Sequence, residues 1–477
     1  MNNNSRPSLF QALIPVLFLI LLLLLNVYFF GDDTLSGSNQ IALLLSAGIA
    51  GIIAIRQGKN WISIRNQIIS SISTAMPAML ILLLIGSLAG TWLISGVVPA
   101  LILYGLEILN AKIFLLAAVI ICALVSVATG SSWSTIATIG IALLGIGKAL
   151  GMPEPVVAGA IISGAYFGDK VSPLSDTTNL APAMAGTDLF THIRYMFYTT
   201  IPSLVITLVI FTIMGFSGSH ALYPSDVDEV ARSISTTFHI TPWLLLVPVL
   251  LIIIILKKVP PIPSLLIGTL LGGAFSIIFQ PQIISGISEN LNNYAEQSYV
   301  TVMKSIFGEI NIHSENKIVD ELLHTSGMAG MLNTIWLILS AMVFGGVMES
   351  GGLLKRITIS IISLTRSTGS LVLSTVVSCI FFNVTASDQY LAIVVPGRMY
   401  SDTYDKHKLK PEVLSRTLED AGTMTSVLVP WNTCGATQSR VLGVSTFSYL
   451  PYCFFNLISP VMTVMMAYLN IKIRRKG

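Results

Sequence analysis

Asp169, Lys170, Asp176, Glu349, Asp388, Arg416, Glu419 and Asp420 lie inside or beside long apolar runs of this chain. An ionisable group in that setting is expensive to keep and points to function. Hydroxyls and amides crowd the same stretches: Thr129, Ser131, Ser132, Ser172, Ser175, Thr177, Asn383, Thr385, Ser387, Thr423 and Asn432. Carboxylate, hydroxyl, amide and freed carbonyl oxygens form a hard donor set, which suits hard cations; no His or Cys cluster offers a softer one. Na+ fits this set. Removal from water disfavours the charged form of a carboxylate, so a buried Asp can hold a proton and a cation in turn. Mutually exclusive binding of H+ and Na+ at one carboxylate is what exchange of the two ions requires. Asp169 is the first choice for that role, with Asp388 and Asp420 next. Asp169, Asp388, Thr129 and Thr385 are the expected Na+ ligands, and the remaining hydroxyls, amides and Asp176 complete the cage. Lys170 follows Asp169 directly and is either its ion-pair partner or directed into flanking water.

These residues come in polar stretches that interrupt apolar runs, and the pattern occurs twice. ATGSSWST (128–135) precedes GDKVSPLSDTTN (168–179); VTASDQ (384–389) precedes EDAGTMTSVLVPWNT (419–433). A helix broken at membrane depth is tolerated where the freed backbone is buried in protein or lines a cavity. Two such breaks at matching places in two halves mark the binding site of a secondary transporter.

The composition requires a membrane. Of 477 residues, 53% are hydrophobic and 10% charged, against roughly 25% charged in a soluble domain. The reading is an all-α polytopic membrane protein, with the lipid bilayer as its first partner. Cys122, Cys379, Cys434 and Cys453 all fall in apolar or broken segments, so they read as structural thiols without a disulfide or metal spacing. A Walker loop, a dinucleotide fingerprint and a nucleic-acid-binding patch are all missing, so no cofactor, no direct ATP drive and no nucleic-acid partner are expected. The apolar run after Arg6 has no cleavage site behind it and reads as a retained first helix.

Runs long enough to span fall near 9–30, 39–56, 74–95, 156–185 (interrupted), 194–216, 242–256, 262–279, 328–350, 411–436 (interrupted) and 443–469. Residues 112–150 and 368–404 each form two limbs about a polar tip, which reads as a re-entrant hairpin. Ten spans and two hairpins then place most of the 26 Lys and Arg on one side, including Arg56, Lys59, Lys257, Lys258, Lys406, Lys410 and the Lys472–Lys476 cluster. By the positive-inside rule that side is the cytoplasm, with both termini there. The halves align: Thr385 follows Thr129 by 256 residues and Asp420 follows Asp169 by 251. Five spans per half is odd, so the copies are inverted. The expected organisation is a first repeat over 1–216, an external linker over 217–241 and a second repeat over 242–477. The polar segment 280–327, with Glu289, Glu296, Glu309, Glu315, Asp320, Glu321, His313 and His324, reads as a solvated external loop.

Other chemistries meet specific obstacles. A pair of intramembrane aspartates would serve a protease, but Tyr166 stands where the Gly-x-Gly-Asp motif of such enzymes needs its first glycine. Two broken elements in inverted halves argue for alternating access over a continuous channel. Half-helix N-termini at the hairpin tips suit an organic anion moved with Na+, for which Arg398 and Arg416 are the available cations.

At ATGSSWSTIATIGIALLGIGKALG (128–151), SGAYFGDKVSPLSDTTNLAPAMAGTDLFTHIRYM (163–196), SDQYLAIVVPGRMY (387–400) and LEDAGTMTSVLVPWNTCGA (418–436) the chain resembles the NhaC family of bacterial Na+/H+ antiporters, over nearly its full length. The resemblance implies extrusion of Na+ against H+ uptake across a bacterial inner membrane, on a fold with paired hairpins and broken helices. It also covers members similar to malate–lactate antiporters, which move a small organic acid. Such transporters divide into a scaffold and a moving part, and scaffold helices offer a homodimer surface.

Overall fold

A computed structural model describes residues 7–30, 37–217, 224–314, 316–363 and 365–476. Arg6, Glu315 and part of the linker over 217–241 lie outside the described residues, as does the side chain of Glu321. Apart from a two-stranded ribbon, Ile310–Asn311 with His324–Thr325, the described elements are helical. Nine helices among the described residues are long and apolar enough to cross a membrane, or up to 11 if two bent pairs each count as one span.

Several elements differ from the sequence expectation. The run at 74–95 is the second half of a 34-residue helix, Trp61–Ile94, started by the Asn60 side chain accepting from the Ser63 N–H. Gly96, at φ +79°, turns the chain into a further apolar helix, Val97–Ile108, which is too short for the spanning rule to detect. The short run at 242–256 is preceded by Val227–Thr237 and bent from it by 92°, while 443–469 is split by a 58° bend between Thr446–Tyr452 and Phe454–Tyr468. The segment 280–327 is largely structured, with helices Pro281–Ile287, Tyr294–Phe307 and Lys317–Leu322. In it Ser314 donates its backbone N–H to Asp320, which holds that carboxyl below the usual range.

Each expected hairpin is a pair of helices joined by a tight turn, and Ala111–Thr129, Ser132–Ala149 and Thr368–Thr385 are each long and apolar enough to cross a membrane. The first runs in along Ala111–Thr129, turns at Gly130 (φ +70°) and returns along Ser132–Ala149, so that Phe114 meets Gly147. The second runs along Thr368–Thr385 and back along Gln389–Lys406, cross-braced by Ser378–Tyr400 (2.9 Å) and Thr375–Tyr404 (3.0 Å) hydroxyl pairs. A limb of 18 residues is about 27 Å long, enough to carry a tip deep into the protein.

Each hairpin is followed by a broken helix. The first comprises Glu154–Val171 and Asp176–Ala185; the second runs over 411–426, including a π-helical turn at Glu419–Thr423, and resumes as Thr433–Leu442. The break in the second copy therefore falls at 427–432, inside the EDAGTMTSVLVPWNT stretch (419–433) that the sequence marks as interrupted. Small residues press Glu154–Val171 onto the first hairpin: a Cβ on Gly164 would lie 2.2 Å from the Val119 carbonyl oxygen, and one on Gly168 2.4 Å from that of Ala123. Backbones this close are the usual result of glycine at membrane helix contacts. Ser126 seals the contact by donating to the Ala165 carbonyl at 2.6 Å. This packing sets the height of Asp169 against the hairpin tip.

Candidate functional site

Four half-helices begin near one another in this fold, and each N-terminus is capped by a side chain. Ser131 accepts from the Ser134 N–H (3.1 Å), Ser175 from Thr178 (3.4 Å), Asp388 from Leu391 (2.9 Å) and Asn432 from Cys434 (3.0 Å). The orphan donors of a helix start are thereby partly satisfied, and four positive dipole ends point at a common region. That region is a cavity of about 610 Å³. Its walls carry Thr129 and Ser131 from the first hairpin, Asp169, Ser175, Asp176 and Thr177 from the first broken helix, Asp388 from the second hairpin and Thr433 from the second broken helix. Thr74–Ile81 of the long helix and the Lys258–Ile262 turn close the remaining side, with the exposed Lys258 at its edge.

Asp169 is 7% exposed and Asp388 2%. Ser132 donates to Asp169 Oδ2 at 2.7 Å, and no salt bridge reaches that carboxylate among the described residues. Lys170 points away: its ammonium pairs with Asp420 and also donates to Ser459 at 2.7 Å, all with Lys170 and Asp420 fully buried. Thr199 and Ser459 donate to the same Asp420 oxygen at 3.3 and 3.0 Å. Of the two dispositions open to Lys170 from the sequence, neither is found, because its partner lies 250 residues away in the other half.

The structure therefore separates the expected cage into two groups. Thr129, Ser131, Asp169, Ser175, Asp176, Thr177 and Asp388 line the cavity, and Ser132 is bonded to Asp169. Asp420, Ser172, Asn383, Thr385, Ser387, Thr423 and Asn432 stand behind it. Ser172 donates to the Val127 carbonyl, and Thr385 to that of Phe381 in its own helix. Asn383 and Asn432 form an amide ladder joining the second tip to Gly422 and Thr425. Ser387 occupies the tip at φ +59°, where its carbonyl accepts from the Thr433 N–H. Trp133, Ser134, Gln389, Tyr390 and Lys258 also line the cavity, and nothing in their spacing singled them out. Glu419 is reached from the cavity wall, since Thr177 donates to it at 3.1 Å. Arg398 is exposed, and Arg416 is buried over the Tyr195 ring at 4.4 Å; neither lines the cavity. Glu349 is exposed and bonded to Gln67.

The arrangement offers carboxylates and hydroxyls to a cation and helix N-termini to an anion. Residues 164–471 match the model of the Na+/H+ antiporter family. The chain is 38% identical to a malate-2H+/Na+-lactate antiporter of Bacillus subtilis, covering 98% of this chain and 96% of that one. It is 35% identical to the Na+/H+ antiporter NhaC of Alkalihalophilus pseudofirmus (92% and 91% covered) and 33% identical to the arginine/ornithine antiporter ArcD of Halobacterium salinarum (99% and 94%).

Proposed function

Because this chain belongs to the Na+/H+ antiporter family, we propose that it exchanges intracellular Na+ for extracellular H+, with Asp169 as the group that holds one ion or the other. One observation carries the assignment: Asp169 is a buried carboxylate on the cavity wall whose neighbouring lysine is committed to Asp420. A charge kept from water and without a counter-ion is neutralised or binds a cation. Asp169 thus holds H+ or Na+, never both, and an empty carboxylate is too costly to carry across. Asp388 at the second tip and Thr129 at the first supply further oxygens from the same cavity. Thr385, counted with them from sequence, has its hydroxyl turned to Phe381 and serves the shape of the tip.

Lys258 lies at the cavity edge, and Lys257 precedes it in the chain. With positive charge favouring the cytoplasmic side, the cavity opens inward, both termini are cytoplasmic, and the protein sits in a bacterial inner membrane. Two inverted repeats, each a hairpin followed by a broken helix, would supply the two conformations.

A second reading has an observation of its own. A cavity of about 610 Å³ is in the size range of small-molecule sites and far exceeds a bare Na+. Lys258 and the four helix N-termini would favour a carboxylate there. Both readings are tested by Na+ addition to proteoliposomes holding an internal pH dye, with and without malate and lactate. A dye response to Na+ alone supports the cation/proton exchanger; a response that needs the organic acid moves the chain to carboxylate-coupled exchange.

A further inference from the structure

The helix Thr433–Leu442 begins at the cavity, since Thr433 is in its wall. It leads to the opposite face. Arg440, near its end, donates to Ser326 at 3.1 Å, and Ser326 belongs to the segment 280–327. The 19-residue helix Pro261–Phe279 separates that segment from the Lys258 turn. Between the two ends the helix carries Thr437 and Gln438, both with no exposed surface. The Thr437 hydroxyl and both polar atoms of the Gln438 amide have no hydrogen-bond partner. At the cavity end the Trp133 indole N–H is likewise buried and unpartnered, and at the far end so is Arg440 Nε. No carboxylate among the described residues pairs with Arg440.

Buried polar groups without partners are rare, and each one asks for an explanation. An apolar side chain of similar size would pack here without the cost of a lost hydrogen bond. The helix also lies between two bodies: on one side Leu332–Ser350 and Trp61–Ile94, on the other the return limb of the first hairpin. A shear of one body against the other would open and close that contact. We infer that Thr437, Gln438 and Arg440 line the second half of the transport route, closed and dry in this conformation and hydrated when the protein faces the other way. The unpartnered atoms then meet water or cargo, and the unpaired Arg440 guanidinium at the far mouth favours an anionic co-substrate. This inference rests on the alternating-access reading above.

The test uses reconstituted protein in a Cys434→Ser background, with Thr433→Cys, Thr437→Cys or Gln438→Cys added one at a time. A membrane-impermeant thiol reagent is applied from each face, with and without a Na+ gradient. Thr433→Cys is expected to react from the Lys258 face. Thr437→Cys and Gln438→Cys are expected to react from the opposite face, about tenfold faster under turnover than at rest, as for a gated route. A companion variant, Gln438→Leu, keeps the packing and removes the amide. It should retain thermal stability and Na+ binding while exchange falls about tenfold. Ion exchange by the unmodified chain in the same vesicles reports separately on the underlying reading. If exchange proceeds while both cysteines stay unreactive from the far face, or if Gln438→Leu exchanges at the normal rate, the route runs elsewhere.

Discussion

At the scale of single residues, three carboxylates that look equivalent in sequence have different surroundings. Asp169 and Asp388 face the cavity, whereas Asp420 is joined to Lys170. Removing one partner of a fully buried pair leaves a charge without compensation, which costs about 3–5 kcal/mol. Asp420→Asn should therefore lower stability by about that amount, read by chemical unfolding in detergent, and Lys170→Met in the same chain should restore most of it. If Asp420→Asn were as stable as the parent, the pair would not be holding the two halves together. Asp169→Asn, by contrast, should fold normally and lose exchange, because an amide cannot trade a proton for a cation. The sequence identified the carboxylates and hydroxyls but not their pairings. Lys170 adjoins Asp169 along the chain, yet one helical step turns its side chain toward the other half, and only the packing of the halves determines that.

Elements explain why Asp169 stands where it does. Gly164 and Gly168 let Glu154–Val171 lie against the first hairpin at backbone contact. Gly164→Ala should force the two apart and cost about 1–3 kcal/mol, as overpacking does. Gly48→Ala, where nothing lies within 4 Å of the added carbon, is the control and should not lower the melting temperature, since Ala favours a helix interior over Gly. The next helix, Leu189–Ser217, starts at Asp188, whose exposed carboxylate accepts from the Thr191 N–H at 2.9 Å. That hydrogen bonding holds the Asp188 carboxyl below its usual range. A group lowered on folding stabilises above its unfolded value and loses that contribution as pH falls through the folded one. The parent should accordingly lose stability relative to Asp188→Ala only on acidification below about pH 4; an equal difference at all pH values would mean that the cap does not titrate. Hairpins and breaks were legible because Gly, Ser, Thr, Asn and Asp interrupt otherwise apolar runs. Val97–Ile108 was not, since a mostly apolar helix of 12 residues falls short of a span. The helices within 280–327 were not either, because their polar composition matches that of a solvated loop.

On the scale of the whole molecule, the cavity is the junction of both halves: two hairpin tips, two broken helices and the long helix at Pro77. Motion of the hairpins and broken helices against the remaining helices would expose Asp169 first to one side and then to the other. Cross-links tying the second hairpin to Leu332–Ser350 should stop exchange while leaving Na+ binding from the Lys258 side; retained exchange would require a different moving part. The central claim is that Na+ displaces a proton from Asp169, and the most direct measurement is proton release on Na+ binding to the purified protein in weakly buffered detergent. The parent should acidify the medium on each Na+ addition, to saturation, and Asp169→Asn should not. Na+ binding without proton release by the parent, or equal release by Asp169→Asn, would contradict the account.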